Sequence, residues 1–153
     1  MDTITLLDKE GQHTIHLAEI DAPEKDQFYG YKAKEALSAL VYGKQVIVIV
    51  HSTDRCGYKV GHVFAGGMSV NQQMVGDGHA WVVRKHLDNP RLLDAEDHAR
   101  NAGLGLWASP DPYRIAPWQW RGKEHPKETR ALVDSPVIAN KLTGFYHYQV
   151  PGC

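Results

Sequence analysis

Polar and apolar residues alternate over positions 3–7 and 12–18, on either side of Lys9-Glu10-Gly11. A period of two interrupted by a glycine predicts a β-hairpin. Ile20-Asp21-Ala22-Pro23-Glu24 follows, and its proline ends the strand pattern, so this stretch reads as a loop carrying two carboxylates. Between positions 30 and 42, Ala33, Ala36, Leu37, Leu40 and Val41 recur at helical spacing and predict an amphipathic helix stopped by Gly43. Positions 45–50 are an unbroken run of β-branched residues after Gln45 and read as a buried strand. After the polar Ser52-Thr53-Asp54-Arg55, positions 60–65 turn through Gly66-Gly67 into Met68-Ser69-Val70, a second hairpin. Ser69 or Asn71 is placed to cap a short helix over 72–75. Leu92, Ala95, Glu96, Ala99 and Ala102 form a last helical stripe behind Pro90, stopped by Gly103. The order strand, strand, helix, strand, strand, helix, helix predicts an α+β fold, a small Greek-key barrel with helices packed on it.

Beyond Trp107 the periodicity fades. Pro110, Pro112, Pro117, Pro126, Pro136 and Pro151 punctuate the rest, and Trp118-Gln119-Trp120 is its one strongly apolar feature. The expectation is a domain over residues 1–107 and an extended C-terminal tail over 108–153 that packs on it. A chain of 153 residues buries enough surface for a core without staples, and two cysteines, Cys56 and Cys153, exclude a dense disulfide framework. The longest apolar stretch is Val46-Ile47-Val48-Ile49-Val50, and the first residues lack a basic-then-apolar export pattern, so no membrane partner and no signal peptide are expected. Net charge is −1, which alone gives no reason to expect a polyanion partner. Its distribution changes that picture. Residues 1–35 hold Asp2, Asp8, Glu10, Glu19, Asp21, Glu24, Asp26 and Glu35 against four bases, whereas residues 114–141 are predominantly basic. The first suits a metal and the second a phosphate.

Several segments, in order, resemble the staphylococcal nuclease or thermonuclease family: Asp2-Thr3-Ile4-Thr5, Ile20-Asp21-Ala22-Pro23-Glu24, Thr53-Asp54-Arg55-Cys56-Gly57, Val70-Asn71, Gly78-His79-Ala80-Trp81, and Ala95-Glu96 followed by Gly103-Leu104-Gly105-Leu106-Trp107. Bacterial relatives are also similar through Pro117-Trp118-Gln119-Trp120-Arg121. The resemblance implies a five-stranded OB-fold barrel with three helices and calcium-dependent hydrolysis of DNA or RNA phosphodiesters. It implies that Asp2 and Asp21 bind Ca²⁺ through carboxylate oxygens, with the backbone carbonyl of Ala22, a hard-oxygen set suited to that cation. Glu24 matches the glutamate assigned to activating the attacking water. No obligate protein partner is implied.

The chain departs from that pattern at the phosphate clamp. Where the family carries two arginines, this sequence has His16 and Tyr58. An arginine offers a permanently charged fork, whereas histidine is cationic only below roughly pH 6.5 unless its surroundings raise its pKa, and tyrosine is a single neutral donor. Weakened catalysis is therefore expected, with His16 and Tyr58 the catalytic positions affected. Arg55, Lys59, Arg84 and Lys85 remain as candidate nucleic-acid contacts. The alternative is an OB-fold module that binds nucleic acid or protein after catalysis has decayed. The resemblance also places Met1 within the Asp-Gly-Asp-Thr segment, so most of the first barrel strand is expected to be missing and its neighbours' edges unpaired. Residues 137–148 have the β-branched and aromatic content to cover such an edge, and His147 with Cys153 offers two of the ligands a zinc site needs.

Overall fold

A computed structural model describes residues 2–85 and 87–123. Strands β1 (Thr3–Asp8) and β2 (Gly11–Leu17) form the expected antiparallel hairpin, with Thr3 opposite His16 and Asp8 opposite Gly11. The Asp8 carboxylate accepts the Glu10 amide at 2.8 Å and pins the turn. β3 (Ile20–Asp21) is short, and helix α1 (Gly30–Val41) follows the proline loop. β4 (Val46–Thr53), β5 (Lys59–Ala65) and β6 (Met68–Ser69) lead into α2 (Val70–Gly76), whose Ser69 cap accepts the Gln72 amide. α3 (Arg91–Ala102) is the last predicted helix, with Gly103 in the left-handed conformation that ends it, whereas β3, read as loop, and β7 (Trp81–Val82) are two-residue strands too short to show a period.

The main sheet runs β1-β2-β5-β4, with β6 beside β5, and β2 lies parallel to β5. β3 pairs separately with β7. Ile4, Ile15, Leu17 and Val63 from the sheet meet Ala33, Leu37 and Val41 of α1, Val70, Met74 and Val75 of α2, and Leu92 and Ala99 of α3 in one core. Asn71 is fully buried there. Its carbonyl oxygen accepts the Val63 amide at 3.0 Å and its Nδ2 donates to Ala18 O at 2.9 Å, so α2 is tied to β5 and to the β2–β3 corner. The mixed α+β architecture is that expected of an OB-like barrel.

Two expectations are corrected. The 45–50 run does not form a buried strand: β4 is an end strand of the sheet, with Ile47 69% and Ile49 52% exposed. An unbroken run of β-branched residues records strand propensity but has no period to say which face is covered. Among the described residues β1 and β4 do not pair, which leaves the sheet open between them. The described part of the expected tail, residues 108–123, is likewise not extended throughout. A 3-10 turn at Gly105–Ala108 leads into it, and it holds another at Asp111–Tyr113 and a fourth helix, α4 (Pro117–Arg121). Prolines that look like breakers here occupy the first helical positions, where a missing amide costs nothing. Trp81 holds this segment, meeting Trp107 at 4.6 Å and Trp118 at 5.9 Å between ring centroids. The expectations for residues 137–148, His147 and Cys153 lie outside the described residues. No helix among the described residues is long and apolar enough to cross a membrane.

Candidate active site

The hairpin register carries the start of the chain back to the end of β2. The Leu17 amide donates to Asp2 O at 2.8 Å, and the Asp2 carboxylate, 7% exposed, meets His16 Nε2 at 2.8 Å. β3 ends on Asp21, also 7% exposed, and pairing with β7 fixes its backbone opposite Trp81. Ala22 is wholly buried behind it. Glu24 is held by its own backbone. Its amide donates to Gln27 Oε1 at 2.7 Å, and its carbonyl accepts the Gln27 amide at 2.9 Å. The start of α1 presses against the same carbonyl, at a position where only glycine, Gly30, fits: a β-carbon there would stand 1.9 Å from Glu24 O.

The C-terminal segment closes over this loop. Gln27 Nε2 donates to Ile115 O at 2.9 Å, Trp120 Nε1 to Asp26 Oδ1 at 3.1 Å, and Phe28 lies 4.6 Å from Tyr113 between ring centroids. Arg121 then enters the acid cluster. Nη2 is 2.6 Å from Asp21 Oδ2, while Nη1 reaches Asp21 Oδ1 at 3.2 Å and Glu24 Oε1 at 2.5 Å. One guanidinium nitrogen touching both carboxylates places Asp21 and Glu24 within the reach of a single cation.

Charge balance explains the ionisation of the cluster. Burial opposes ionisation of Asp2, yet the His16 hydrogen bond and charge leave its carboxyl below the usual range. His16 is pushed up to about 9, first by its hydrogen bond to Asp2 and then by that carboxylate's charge, against the cost of burial. Asp54, 3.6 Å from His16 Nδ1, adds to the rise. The exception stated for a histidine whose surroundings raise its pKa therefore applies here: an acidic neighbour on either side favours the protonated ring. Burial pushes the Asp21 carboxyl up, with the charge of Asp2 adding to it and Arg121 opposing.

The other predicted residues are not all gathered here. Tyr58 takes part through its backbone: its amide, like that of Cys56, donates to Asp54 Oδ1, the bond that aims Asp54 at His16. Lys59 Nζ stands 3.3 Å from His13 Nδ1. Arg84 is committed elsewhere, 2.5 Å from the fully buried carboxylate of Glu96, which also accepts the Val82 amide at 2.9 Å. Arg55 and Lys85 are exposed, on the β4–β5 loop and after β7. Asp54, Gln27 and Arg121 were not among the predicted site residues. Asp54 and Arg121 carried a signal only as members of the Thr53–Gly57 and Pro117–Arg121 resemblance segments, and Arg121 lies 100 residues from Asp21.

Two buried carboxylates, the Ala22 backbone and a nearby third acid form an oxygen-rich set that fits a hard cation such as Ca²⁺, and two cationic side chains, His16 and Arg121, answer those charges. A separate group, Asp8, Glu10 and His13, brings its ligand atoms within 4.8 Å of one another. It lies at the opposite end of the hairpin, is largely exposed, and already pairs His13 with Asp8 at 3.0 Å.

A family model described as staphylococcal nuclease homologue matches residues 14–109. The chain is 41% identical over 124 residues to an "uncharacterized endonuclease" of Escherichia coli O157:H7, covering 80% of each chain. It is 40% identical over 124 residues to an "uncharacterized endonuclease" of Haemophilus influenzae, covering 80% of this chain and 68% of that one. A "probable staphylococcal-like nuclease" of rice, Oryza sativa subsp. japonica, is 40% identical over 110 residues, which is 72% of this chain and 33% of the rice protein.

Proposed function

This chain belongs to the staphylococcal nuclease family, and on that premise we propose that it hydrolyses phosphodiester bonds of DNA or RNA with Ca²⁺ at Asp2, Asp21 and the Ala22 carbonyl. The observation that carries the reading is that Arg121 joins Asp21 to Glu24, His16 holds Asp2, and the charges of Asp2 and His16 are close enough to act on Asp21. Bound calcium would lower the charge of the scissile phosphate and offer it an open coordination position.

The chain's own residues do the rest. His16 fixes the orientation of the Asp2 carboxylate through Nε2, and Asp54 holds the ring from the other side. Glu24, with its backbone immobilised by Gln27 and Gly30, takes a proton from the attacking water at a carboxylate oxygen. Arg55, exposed one residue beyond Asp54, and Lys85, exposed after β7, meet backbone phosphates and set register without reading sequence. Arg84 contributes to this only indirectly, by neutralising Glu96 beneath β7. Tyr58 gives the site no fork, so phosphate clamping by residues 16 and 58 is weaker than two arginines would supply.

The test is degradation of supercoiled plasmid and of RNA with and without calcium from pH 5 to 9, alongside Glu24→Gln. Calcium-dependent cleavage by the parent, reduced at least a hundredfold by Glu24→Gln, is the expected result. Binding of nucleic acid without cleavage under any of these conditions would instead establish the decayed module.

A further inference from the structure

Arg121 spans two acids of the site with three contacts: both oxygens of Asp21 and one of Glu24. Calcium binds carboxylate oxygens at 2.3–2.6 Å, and a divalent ion set at Asp21 would stand beside a guanidinium that already engages both oxygens of that carboxylate. Two positive charges then compete for one anion, and the divalent one displaces Arg121. The side chain is 49% exposed, so it enters from the solvent side and has a path back out. Its backbone does not share that freedom. Arg121 ends α4, whose Trp118 packs on Trp81 and whose Trp120 donates to Asp26, so a released guanidinium stays within one side-chain length of the acids. Buried carboxylates need a counter-charge whether or not an ion is present, and a planar fork is the group that serves a carboxylate and a phosphate with the same geometry.

We propose that Arg121 is the site's exchangeable counter-ion: it sits on Asp21 and Glu24 until a divalent cation takes those oxygens, and the released guanidinium then clamps the phosphate of the bound nucleic acid. The inference rests on the assignment of Asp21 to the cation and deepens it. It places the clamp on the C-terminal segment, reaching the site from outside the barrel strands.

The experiment titrates CaCl₂ calorimetrically into the full chain, Arg121→Gln and Arg121→Lys, and measures plasmid cleavage by each at saturating calcium. Arg121→Gln is expected to bind calcium about tenfold tighter or more, because a competing charge has gone, and to cleave about a hundredfold more slowly, because the clamp has gone with it. Arg121→Lys is expected to bind calcium with intermediate affinity and to remain slow, since an ammonium lacks the fork. Calcium affinity in Arg121→Gln equal to or weaker than the parent's, or absent from both, overturns the exchange, and cleavage at the parental rate overturns the clamp. Should the variants fail to fold, the ¹⁵Nε resonance of Arg121 in the unaltered chain carries the test. It must shift with the calcium titration, and an unmoved signal through saturation refutes the proposal. Calcium exchange without cleavage by the parent would sink the nuclease reading and leave the exchange standing, whereas parental cleavage with calcium affinity indifferent to position 121 would do the reverse.

Discussion

Replacing Gly30 by alanine tests whether the start of α1 aims Glu24. The new β-carbon would lie 1.9 Å from Glu24 O, 2.8 Å from Glu24 C and 3.0 Å from Lys25 C, all backbone atoms that no rotamer change can move. Ordinary contact begins near 3.4 Å, so helix and loop must part by about 1.5 Å. Three hydrogen bonds resist that movement: Gly30 N to Gln27 O, Gln27 N to Glu24 O, and Glu24 N to Gln27 Oε1. Overpacking of this kind costs about 1–3 kcal/mol, and an ångström of misplacement at a catalytic group costs on the order of a hundredfold in rate. Gly30→Ala should therefore lower the urea midpoint modestly and cleavage severely, while leaving calcium affinity at Asp2 and Asp21 largely intact. Gly76→Ala is the control, since its β-carbon would meet only Ala95 Cβ, at 3.9 Å, and alanine favours the helix by about 0.5–1 kcal/mol. Parental stability and parental cleavage in Gly30→Ala would refute the reasoning.

Asn71→Ala should cost about 3 kcal/mol in urea unfolding, because it strands the buried Val63 amide and Ala18 carbonyl, and a loss under 1 kcal/mol would deny that side chain its bridging role. Burial opposes ionisation of Glu19, but the Asp88 and Asn89 amides and His62 outweigh it and hold its carboxyl below its ordinary 4.5. Its stabilisation is thus complete above that value and lost as pH falls through the lowered one. The melting-temperature gap between parent and Glu19→Gln should accordingly be widest above pH 5 and close toward pH 3. Arg84→Ala should lower the melting temperature while leaving the salt slope of DNA binding unchanged, whereas Arg55→Ala should reduce that slope by about one, both measured by fluorescence titration.

The hairpin of β1 and β2, the three longer helices and the Ser69 cap were legible because each depends on a local period or a terminal residue within a few positions. The face of β4 was not, since Val46 to Val50 are all β-branched and exposure depends on which strands flank them. At the site, Asp2, Asp21 and Glu24 were named from resemblance, and the structure places Asp21 and Glu24 on one guanidinium and Asp2 on His16. The partners of Arg84 and Arg121 were illegible for a common reason. A cation's role follows from which carboxylate the fold delivers to it, and for Arg84 that is a glutamate buried 12 residues on, for Arg121 an aspartate 100 residues back. His16 shows the same limit in its protonation, which Asp2 and Asp54 determine from 14 residues upstream and from the β4–β5 loop.

The most direct test of the central claim is the calcium concentration that half-activates plasmid cleavage, compared between the parent and Asp21→Asn. Loss of one anionic ligand should raise that concentration at least tenfold, with parental cleavage recovered in part at high calcium. The same half-activating concentration in both proteins would contradict the assignment of the ion to the end of β3.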